Sequence, residues 1–295
     1  MKRNEFIKLA GLGALSIPMM SSLSKLGRLT ESFEATEKMP VLFLGHGSPM
    51  NAIEDNEFVQ GFKNQRENLE KPNAILVVSA HWETKGTYVT AMEHPRTIHD
   101  FGGFPQALFD VQYPAPGHPE FAKEISELIE PAGTILLDDK WGLDHGSWSV
   151  VKHLFPEADV PVLQLSLDYN LSPADHYALA AQLKDLRKKG VLIVGSGNMV
   201  HNLRRVDFSK MNEYYGYDWA IEANDKMKEW ILADNHQSLI DFRKQGTAFD
   251  LAIPTAEHYL PLLYTLALKD DQDELVLFND EPLAGSLTMT SVRIG

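Results

Sequence analysis

The sequence predicts a single α/β domain in which a central, mostly parallel sheet is flanked by helices. Short apolar runs of strand length alternate along the chain with stretches of helix length, which is the order of a βα-alternating fold. The apolar runs are continuous rather than alternating, as expected for strands covered on both faces. With 295 residues, 44% of them hydrophobic, the chain is long enough to bury one sizeable core.

The elements can be assigned in chain order. The predicted strands are residues 41–45, 74–80, 87–92, 134–137, 160–167 and 191–196, followed by strand-like runs at 274–278 and 286–294. The predicted helices are residues 56–69, 118–130, 147–155, 172–189, 218–233 and 257–268. The connection at residues 93–116 is long for a compact domain and rich in Gly, Pro and Phe, which indicates a functional loop.

Composition and charge exclude several classes of function. A formal net charge of -14 argues against nucleic acid or an anionic membrane surface as the main partner, because both require a cationic face. The sequence contains no cysteine, so disulfides, thiolate nucleophiles and cysteine-ligated zinc are excluded. Any metal must be held by His, Asp or Glu, and the sequence supplies 11 histidines.

Residues 1–39 are predicted to be a signal-like segment and polar tether that precede a catalytic domain at 40–295. A basic start is followed by an apolar run at residues 9–20, which is too short to span a bilayer, so no stable membrane insertion is expected. The stretch from Arg3 to Lys8 is similar to a twin-arginine signal that lacks the second arginine. The pattern predicts export to the periplasm; the alternative is a cytoplasmic protein with an N-terminal helix.

Three histidines lie at the carboxyl ends of predicted strands: His46, His81 and His201. Ligands of open α/β sheets bind at that edge, and neutral imidazole is a common ligand for zinc and ferrous iron. A single histidine at a strand end is more often a hydrogen-bonded core residue, so the coincidence of three carries the prediction of a metal site. Glycines that would let backbone approach a ligand closely accompany them: Gly45, Gly47, Gly195 and Gly197.

Two further histidines are candidates for the same site. His258 is predicted to lie with Glu257 in the first turn of a helix that begins near Ala256. Glu257 would ligate a metal, orient a ligand, or complement the helix dipole. His145 belongs either to the site or to a turn that caps the helix from Ser147.

Seven segments resemble the 4,5-DOPA dioxygenase extradiol family, a group of class III extradiol ring-cleavage dioxygenases. The resemblance runs from about Pro40 to the C-terminus through the segments GHGSPMNA, SAHWET, TIHDFGGFP, YPAPGHP, WGLDHGSW, GSGNMVHNL and PTAEHYLPLL. It implies one divalent metal, Zn²⁺ or Fe²⁺, with Fe²⁺ expected for ring cleavage. The histidines that it implies as metal ligands are His46, His81, His201 and His258.

The resemblance also implies roles and a reaction. His145 would be a second active-site histidine, and His201 either a ligand or an acid–base group near the metal. The substrates would be O₂ and a small aromatic diphenol such as DOPA, whose 4,5-cleavage gives seco-DOPA and then betalamic acid. Better-known class III enzymes use two histidines and a carboxylate, whereas His258 occupies the carboxylate position here, with Glu257 beside it.

Alternative interpretations stay open for the function and for the substrate contacts. A zinc-dependent hydrolase and a non-enzymatic metal-binding relative would both be compatible with histidine ligands. Trp82, Phe101 and Phe104 would form either an aromatic wall for the substrate or ordinary core packing. Arg96 and Arg204 would either pair with a substrate carboxylate or be solvated surface residues.

Overall fold

The computed structural model describes Phe33 and residues 36–67, 69–128 and 134–295. The predicted signal-like segment lies outside these residues, as does most of the predicted tether. The predicted boundary at residue 40 therefore stays a prediction. In the described ranges, no helix is both long enough and apolar enough to cross a membrane.

The described part of the chain contains a mostly parallel sheet of eight strands, as the sequence predicts. Its spatial order is β4-β3-β5-β2-β6-β1-β10-β7, and β8 pairs with β9 separately. The strands are β1 (Val41–Gly45), β2 (Ala74–Thr84), β3 (Thr87–Thr90), β4 (Ile135–Asp138), β5 (Val162–Asp168), β6 (Val191–Gly197), β7 (Leu275–Phe278), β8 (Pro282–Leu283), β9 (Leu287–Thr288) and β10 (Ser291–Ile294).

The centre of the sheet is parallel and its edges are mixed. Strands β5, β2, β6 and β1 are parallel to one another, with Ala74 opposite Val191 and Val41 opposite Ile193. Strand β10 pairs antiparallel with both β1 and β7, and β3 pairs antiparallel with β5 but parallel with β4. The carboxyl ends of β2, β6 and β1 therefore lie side by side at one edge.

Successive side chains of the central strands enter two separate cores. Val41 and Phe43 of β1 pack into one hydrophobic cluster, while Leu42 and Leu44 pack into the other. All four are fully buried, which explains why β1 is an uninterrupted apolar run in the sequence.

Helices cover both faces of the sheet. They are α1 (Glu57–Arg66), α2 (Gln106–Phe109), α3 (Pro119–Leu128), α4 (His145–Leu154), α5 (Pro173–Ala181), α6 (Asp218–Leu232), α7 (His236–Ile240), α8 (Thr247–Ala252) and α9 (Leu260–Ala267). Short 3₁₀ turns occur at Pro49–Ala52, Lys184–Lys189, Phe208–Lys210 and Phe242–Lys244.

Two predicted helices differ from the observed elements. The helix predicted for residues 172–189 divides into α5 and a 3₁₀ turn, which ends at Gly190 in the left-handed region at φ +73°. The helix predicted to begin near Ala256 begins at Leu260. The carbonyl of His258 accepts the backbone N–H of Asn198 at 2.9 Å, so that residue is tied to the end of β6 instead of to a helix.

A buried guanidinium joins distant parts of the domain. Arg187, which is fully buried, donates to the carbonyls of Met39 at 2.8 Å and Leu268 at 2.7 Å, and its Nη1 lies 2.6 Å from Oδ2 of Asp273. Burial raises the pKa of Asp273, but hydrogen bonds from Arg187 and Lys38 outweigh it and hold that pKa far below its usual value. Both the guanidinium of Arg187 and the carboxylate of Asp273 therefore have hydrogen-bond partners.

Replacing Arg187 with Met should lower the free energy of unfolding by about 3–5 kcal/mol, because Asp273 and two carbonyls would lose a buried partner. Lys188→Met is the matched control, since Lys188 is exposed and its ion pair with Asp185 is solvated; its effect should stay within about 0.5 kcal/mol. Urea unfolding followed by circular dichroism measures both. Equal midpoints for the two variants would show that Arg187 does not stabilise the domain.

Candidate metal centre

Three of the predicted histidines lie at one edge of the sheet. His46 directly follows β1, and its backbone N–H donates to the carbonyl of Gly197 at the end of β6, at 3.0 Å. His201 lies four residues beyond β6, with its N–H on the carbonyl of Ala252 at 2.9 Å. His81 lies inside β2 rather than at its end, in the stretch where the pairing of β2 with β5 changes register.

The imidazoles of the predicted ligands converge. Nε2 of His46 lies 3.2 Å from Nε2 of His81. Two nitrogens bound to one Zn²⁺ at about 2.0–2.1 Å in tetrahedral geometry would be separated by roughly 3.3 Å. The ring of His258 lies 5.3 Å from that of His46 and 5.0 Å from that of His81, and it stacks on His201 at 3.5 Å. The structure therefore brings together the four predicted ligands.

Two neighbouring groups of donor atoms make up this centre. The ligand atoms of His46, His81 and His145 lie within 4.8 Å of one another, and so do those of His201, Glu257 and His258. His145 was expected at the site only as a second active-site histidine, and its ring packs 3.8 Å from that of His81. The donor set of imidazoles and one nearby carboxylate fits a single divalent zinc or iron ion.

A serine determines which nitrogen of His46 faces the centre. Nδ1 of His46 lies 3.0 Å from Oγ of Ser196. The Ser196 hydroxyl donates its own hydrogen to the carbonyl of Gly146, so its oxygen is left to accept from His46. Nδ1 of His46 therefore carries the proton, and Nε2 presents a lone pair to the centre.

Glu257 holds His258 in the same way. Oε1 of Glu257 lies 3.1 Å from Nδ1 of His258 and accepts the hydroxyl of Thr255 at 2.8 Å. Of the three roles considered from the sequence, orientation of a neighbouring histidine is the one that these contacts favour. Glu257 itself lies in the turn that leads into α9, where the backbone N–H of Leu260 donates to the carbonyl of Ala256 at 2.9 Å.

Sequence reasoning missed Asp100. Its Oδ2 lies 2.9 Å from Nδ1 of His145 and 3.4 Å from Nδ1 of His81. The segment TIHDFGGFP and the long loop around it were the available signal. His99 faces away from the centre, with Nε2 3.0 Å from the carbonyl of Val111.

A buried carboxylate, Asp144, supports the strand that carries His81. Asp144 is the N-cap of α4: its Oδ1 accepts the backbone N–H of Ser147 at 3.1 Å and the hydroxyl of Ser79 at 2.7 Å. Burial raises the pKa of Asp144. Gly146 allows this close approach, since a Cβ there would lie 2.5 Å from Oγ of Ser79 and 2.8 Å from Cδ2 of His81.

Burial keeps the four predicted ligand histidines neutral. It lowers the pKa of His46 and of His258 well below the usual value, and nearby imidazoles lower both further. Burial also lowers the pKa of His81 to about 3 and that of His201 to about 4. At neutral pH these side chains therefore offer lone pairs rather than positive charge, as metal ligation requires.

Two of the three predicted aromatic residues lie beside the centre. The ring of Phe101 meets that of His145 edge-on at 5.5 Å and contacts Phe104 at 5.4 Å. Phe104 in turn lines a cleft of about 750 Å³. Trp82 is only 4% exposed and stacks on Trp141, so for Trp82 the core-packing interpretation is the better one.

The two candidate arginines stay outside this cleft. Arg96 is exposed and donates from Nε to the carbonyl of Trp141 at 3.1 Å. Arg204 is also exposed, and neither arginine lines the cleft. The structure gives no contact that would place either one on a substrate carboxylate.

An α/β domain with neutral imidazoles gathered at the carboxyl edge of its sheet belongs to the class of metal-dependent enzymes. Residues 40–284 match the family model described as the catalytic LigB subunit of aromatic ring-opening dioxygenase. The chain belongs to this family, and it is a dioxygenase.

Comparison with individual proteins gives the same result. The chain is 46% identical over 266 residues to the 4,5-DOPA dioxygenase extradiol of Escherichia coli K12, covering 88% of this chain and 96% of the relative. It is 33% identical over 241 residues to the protein of that name from Mirabilis jalapa, covering 79% and 89%. A crystal structure of an uncharacterized Escherichia coli K12 protein superposes with a TM-score of 0.73 at 41% identity, covering 87% of this chain and 100% of that one.

Replacing Gly197 with Ala should disturb the centre, because the added Cβ would lie 2.1 Å from the carbonyl oxygen of His258. The backbone of His258 must then shift, and we expect Zn²⁺ affinity to fall about tenfold or more and stability to fall by about 1–3 kcal/mol. Competition with a chromogenic chelator measures the affinity. Gly102→Ala is the control, because a Cβ there meets no atom within 4 Å. Unchanged affinity in Gly197→Ala would contradict the geometry of this edge.

Proposed function

We propose that this chain is a metal-dependent extradiol ring-cleaving dioxygenase that acts on catechol-type substrates such as DOPA. The product of 4,5-cleavage would be seco-DOPA, which cyclises to betalamic acid. The observation that carries the proposal is the 3.2 Å approach of Nε2 of His46 to Nε2 of His81 at the carboxyl edge of the sheet. Relatives from Escherichia coli, Mirabilis jalapa and Beta vulgaris that bear the name 4,5-DOPA dioxygenase extradiol support the substrate class.

We assign the metal to His46, His81 and His258, with His201 as a fourth ligand or an acid–base group. Fe²⁺ is the metal proposed for ring cleavage, and Zn²⁺ would occupy the same imidazoles. A divalent metal bound there would act as a Lewis acid and lower the pKa of a catechol hydroxyl. The aromatic edge formed by Phe101 would lie against the substrate ring beside the centre.

His145 is the proposed proton acceptor. Its Nδ1 faces Asp100, so Nε2 is the nitrogen available to take a catechol proton. Its ring lies 3.8 Å from that of His81 and 5.5 Å from that of Phe101, and this proximity to a proposed ligand and to the aromatic edge supports the role. The proton would be returned to the substrate from the same nitrogen.

Protein reconstituted with Fe²⁺ without oxygen should convert L-DOPA to a yellow product and consume one O₂ per substrate. His81→Ala should bind metal at least 10-fold more weakly and lose activity, because it removes a converging nitrogen. His94→Ala is the control, since His94 is exposed and belongs to neither group of donor atoms. Absorbance and oxygen-electrode traces give the rates, and metal analysis gives the loading.

Negative results in these assays distinguish between the alternative functions. No turnover across a panel of catechols, including caffeate, at full Fe²⁺ loading would rule out ring cleavage. Ester or amide hydrolysis by the Zn²⁺-loaded protein would then favour a hydrolase, and metal binding without any turnover would favour a binding protein. Metal affinity unchanged in His81→Ala would refute the ligand role of His81.

We also propose export to the periplasm, on the basis of the basic start and apolar run of residues 1–20. Asn4→Arg supplies the second arginine of a twin-arginine signal and should raise the periplasmic fraction of the protein. Asn4→Gln is the control, because it changes the residue without adding charge. Fractionation followed by immunoblotting measures the distribution. Protein that stays in the cytoplasm in all three forms would favour the cytoplasmic alternative.

A further inference from the structure

We propose that Asp100 is a positioning residue that sets the tautomers of His81 and His145, so that both present a bare Nε2 to the reaction centre. The role of His145 in this proposal rests on the proposed function, whereas the tautomers and the metal affinity can be measured without turnover. Asp100 lies in the connection of residues 93–116, and neither the sequence motifs nor the ligand set assigned it a role.

The two carboxylate oxygens of Asp100 have different partners. Oδ1 accepts the backbone N–H of His145 at 2.9 Å, which fixes the start of α4 relative to the loop. Oδ2 lies 2.9 Å from Nδ1 of His145 and 3.4 Å from Nδ1 of His81, so it sits between the two imidazoles. One oxygen thus binds the backbone of His145, while the other lies near Nδ1 of both imidazole rings.

The charge of the Asp100 carboxylate then determines which nitrogen of each imidazole carries the proton. An ionised carboxylate can accept protons but donates none, so its charge favours the tautomer in which the nearby Nδ1 carries the proton. Oδ2 of Asp100 lies 2.9 Å from Nδ1 of His145, and the negative charge of a carboxylate at neutral pH attracts a proton to that nitrogen and repels a lone pair there. With Nδ1 protonated, Nε2 of each histidine keeps a lone pair.

The Nε2 lone pairs of His81 and His145 have different proposed roles. In His81 it lies 3.2 Å from Nε2 of His46, where a metal ion would be held. In His145 it is free to accept a proton from a substrate hydroxyl. The carboxylate of Asp100 therefore orients one proposed metal ligand, His81, and one proposed base, His145.

The loop is held firmly enough to make Asp100 a rigid support. Two residues earlier, the backbone of Ile98 accepts Nε1–H of Trp148 at 2.8 Å and donates to the carbonyl of Leu143 at 2.7 Å. On the other side, Phe101 packs edge-on against the ring of His145. Anchors on both sides of Asp100 restrict the movement of its carboxylate.

Asp100→Asn tests the proposal because it preserves size and the backbone contact. The amide oxygen can still accept the N–H of His145, while the amide nitrogen replaces Oδ2 and donates to the imidazoles, which favours protonation at Nε2. Asp110→Asn is the matched control: it makes the same change in the same loop, at an exposed aspartate that contacts Gln106.

Long-range ¹H–¹⁵N spectra of metal-free, histidine-labelled protein report the tautomers directly, with His145→Gln used for assignment. The wild type and Asp110→Asn should show Nδ1–H on His81 and His145, and Asp100→Asn should show Nε2–H on at least His145. Zn²⁺ affinity should fall 10–100-fold in Asp100→Asn. In Fe²⁺-loaded protein kcat should fall by a similar factor, with KM for L-DOPA changed less than about threefold.

Asp100→Glu covers the case in which Asp100→Asn does not fold. It retains a carboxylate, so it should keep Nδ1–H on His145 and recover part of the Zn²⁺ affinity. Wild-type tautomers and affinity in Asp100→Asn, or Nε2–H on His145 in Asp100→Glu, would overturn the proposal. If the tautomer and affinity change as expected while wild-type protein opens no catechol ring, the proposed function fails and the positioning role of Asp100 stands.

Discussion

Strand β6 pairs in parallel with β2 on one side and with β1 on the other, so the carboxyl ends of all three strands meet at one edge of the sheet. The hydrogen bond from the N–H of His46 to the carbonyl of Gly197 extends the β1–β6 pairing to the metal centre itself. The carbonyl of His258 is drawn to the same strand end by the N–H of Asn198. The positions of the imidazoles thus depend on backbone pairing, which is why a methyl group on Gly197 would disturb them.

Four histidines of the centre share one arrangement around this framework. Each has an oxygen atom near Nδ1: Ser196 for His46, Asp100 for His81 and His145, and Glu257 for His258. An oxygen on that side leaves Nε2 turned toward the centre with its lone pair free. The oxygen partners come from β6, from the long loop and from the turn before α9, so parts of the chain far apart in sequence determine how each imidazole is oriented.

The sequence was sufficient to predict the sheet and the histidines, because both depend on local patterns. Continuous apolar runs such as VLFLG mark buried parallel strands, and the strand-end rule places His46 and His81 at a common edge. It was not sufficient for Asp100, whose importance depends on a loop that folds back over the sheet. The start of α9 was also predicted too early, because the contact between His258 and Asn198 joins residues 60 positions apart, which no local pattern records.

Charge balance accounts for the carboxylates that surround an all-imidazole centre. A divalent cation held only by neutral nitrogens would be buried with two uncompensated positive charges, at a large cost in desolvation. Asp100 and Glu257 place two carboxylates directly behind proposed ligand rings, at 3.4 Å from Nδ1 of His81 and 3.1 Å from Nδ1 of His258. In a site built from two histidines and a carboxylate, the negative charge touches the metal; here it would act on a bound metal through the imidazoles. Negative charge at Nδ1 makes Nε2 more basic, and it would leave positions on the metal open to the two oxygens of the proposed catechol substrate.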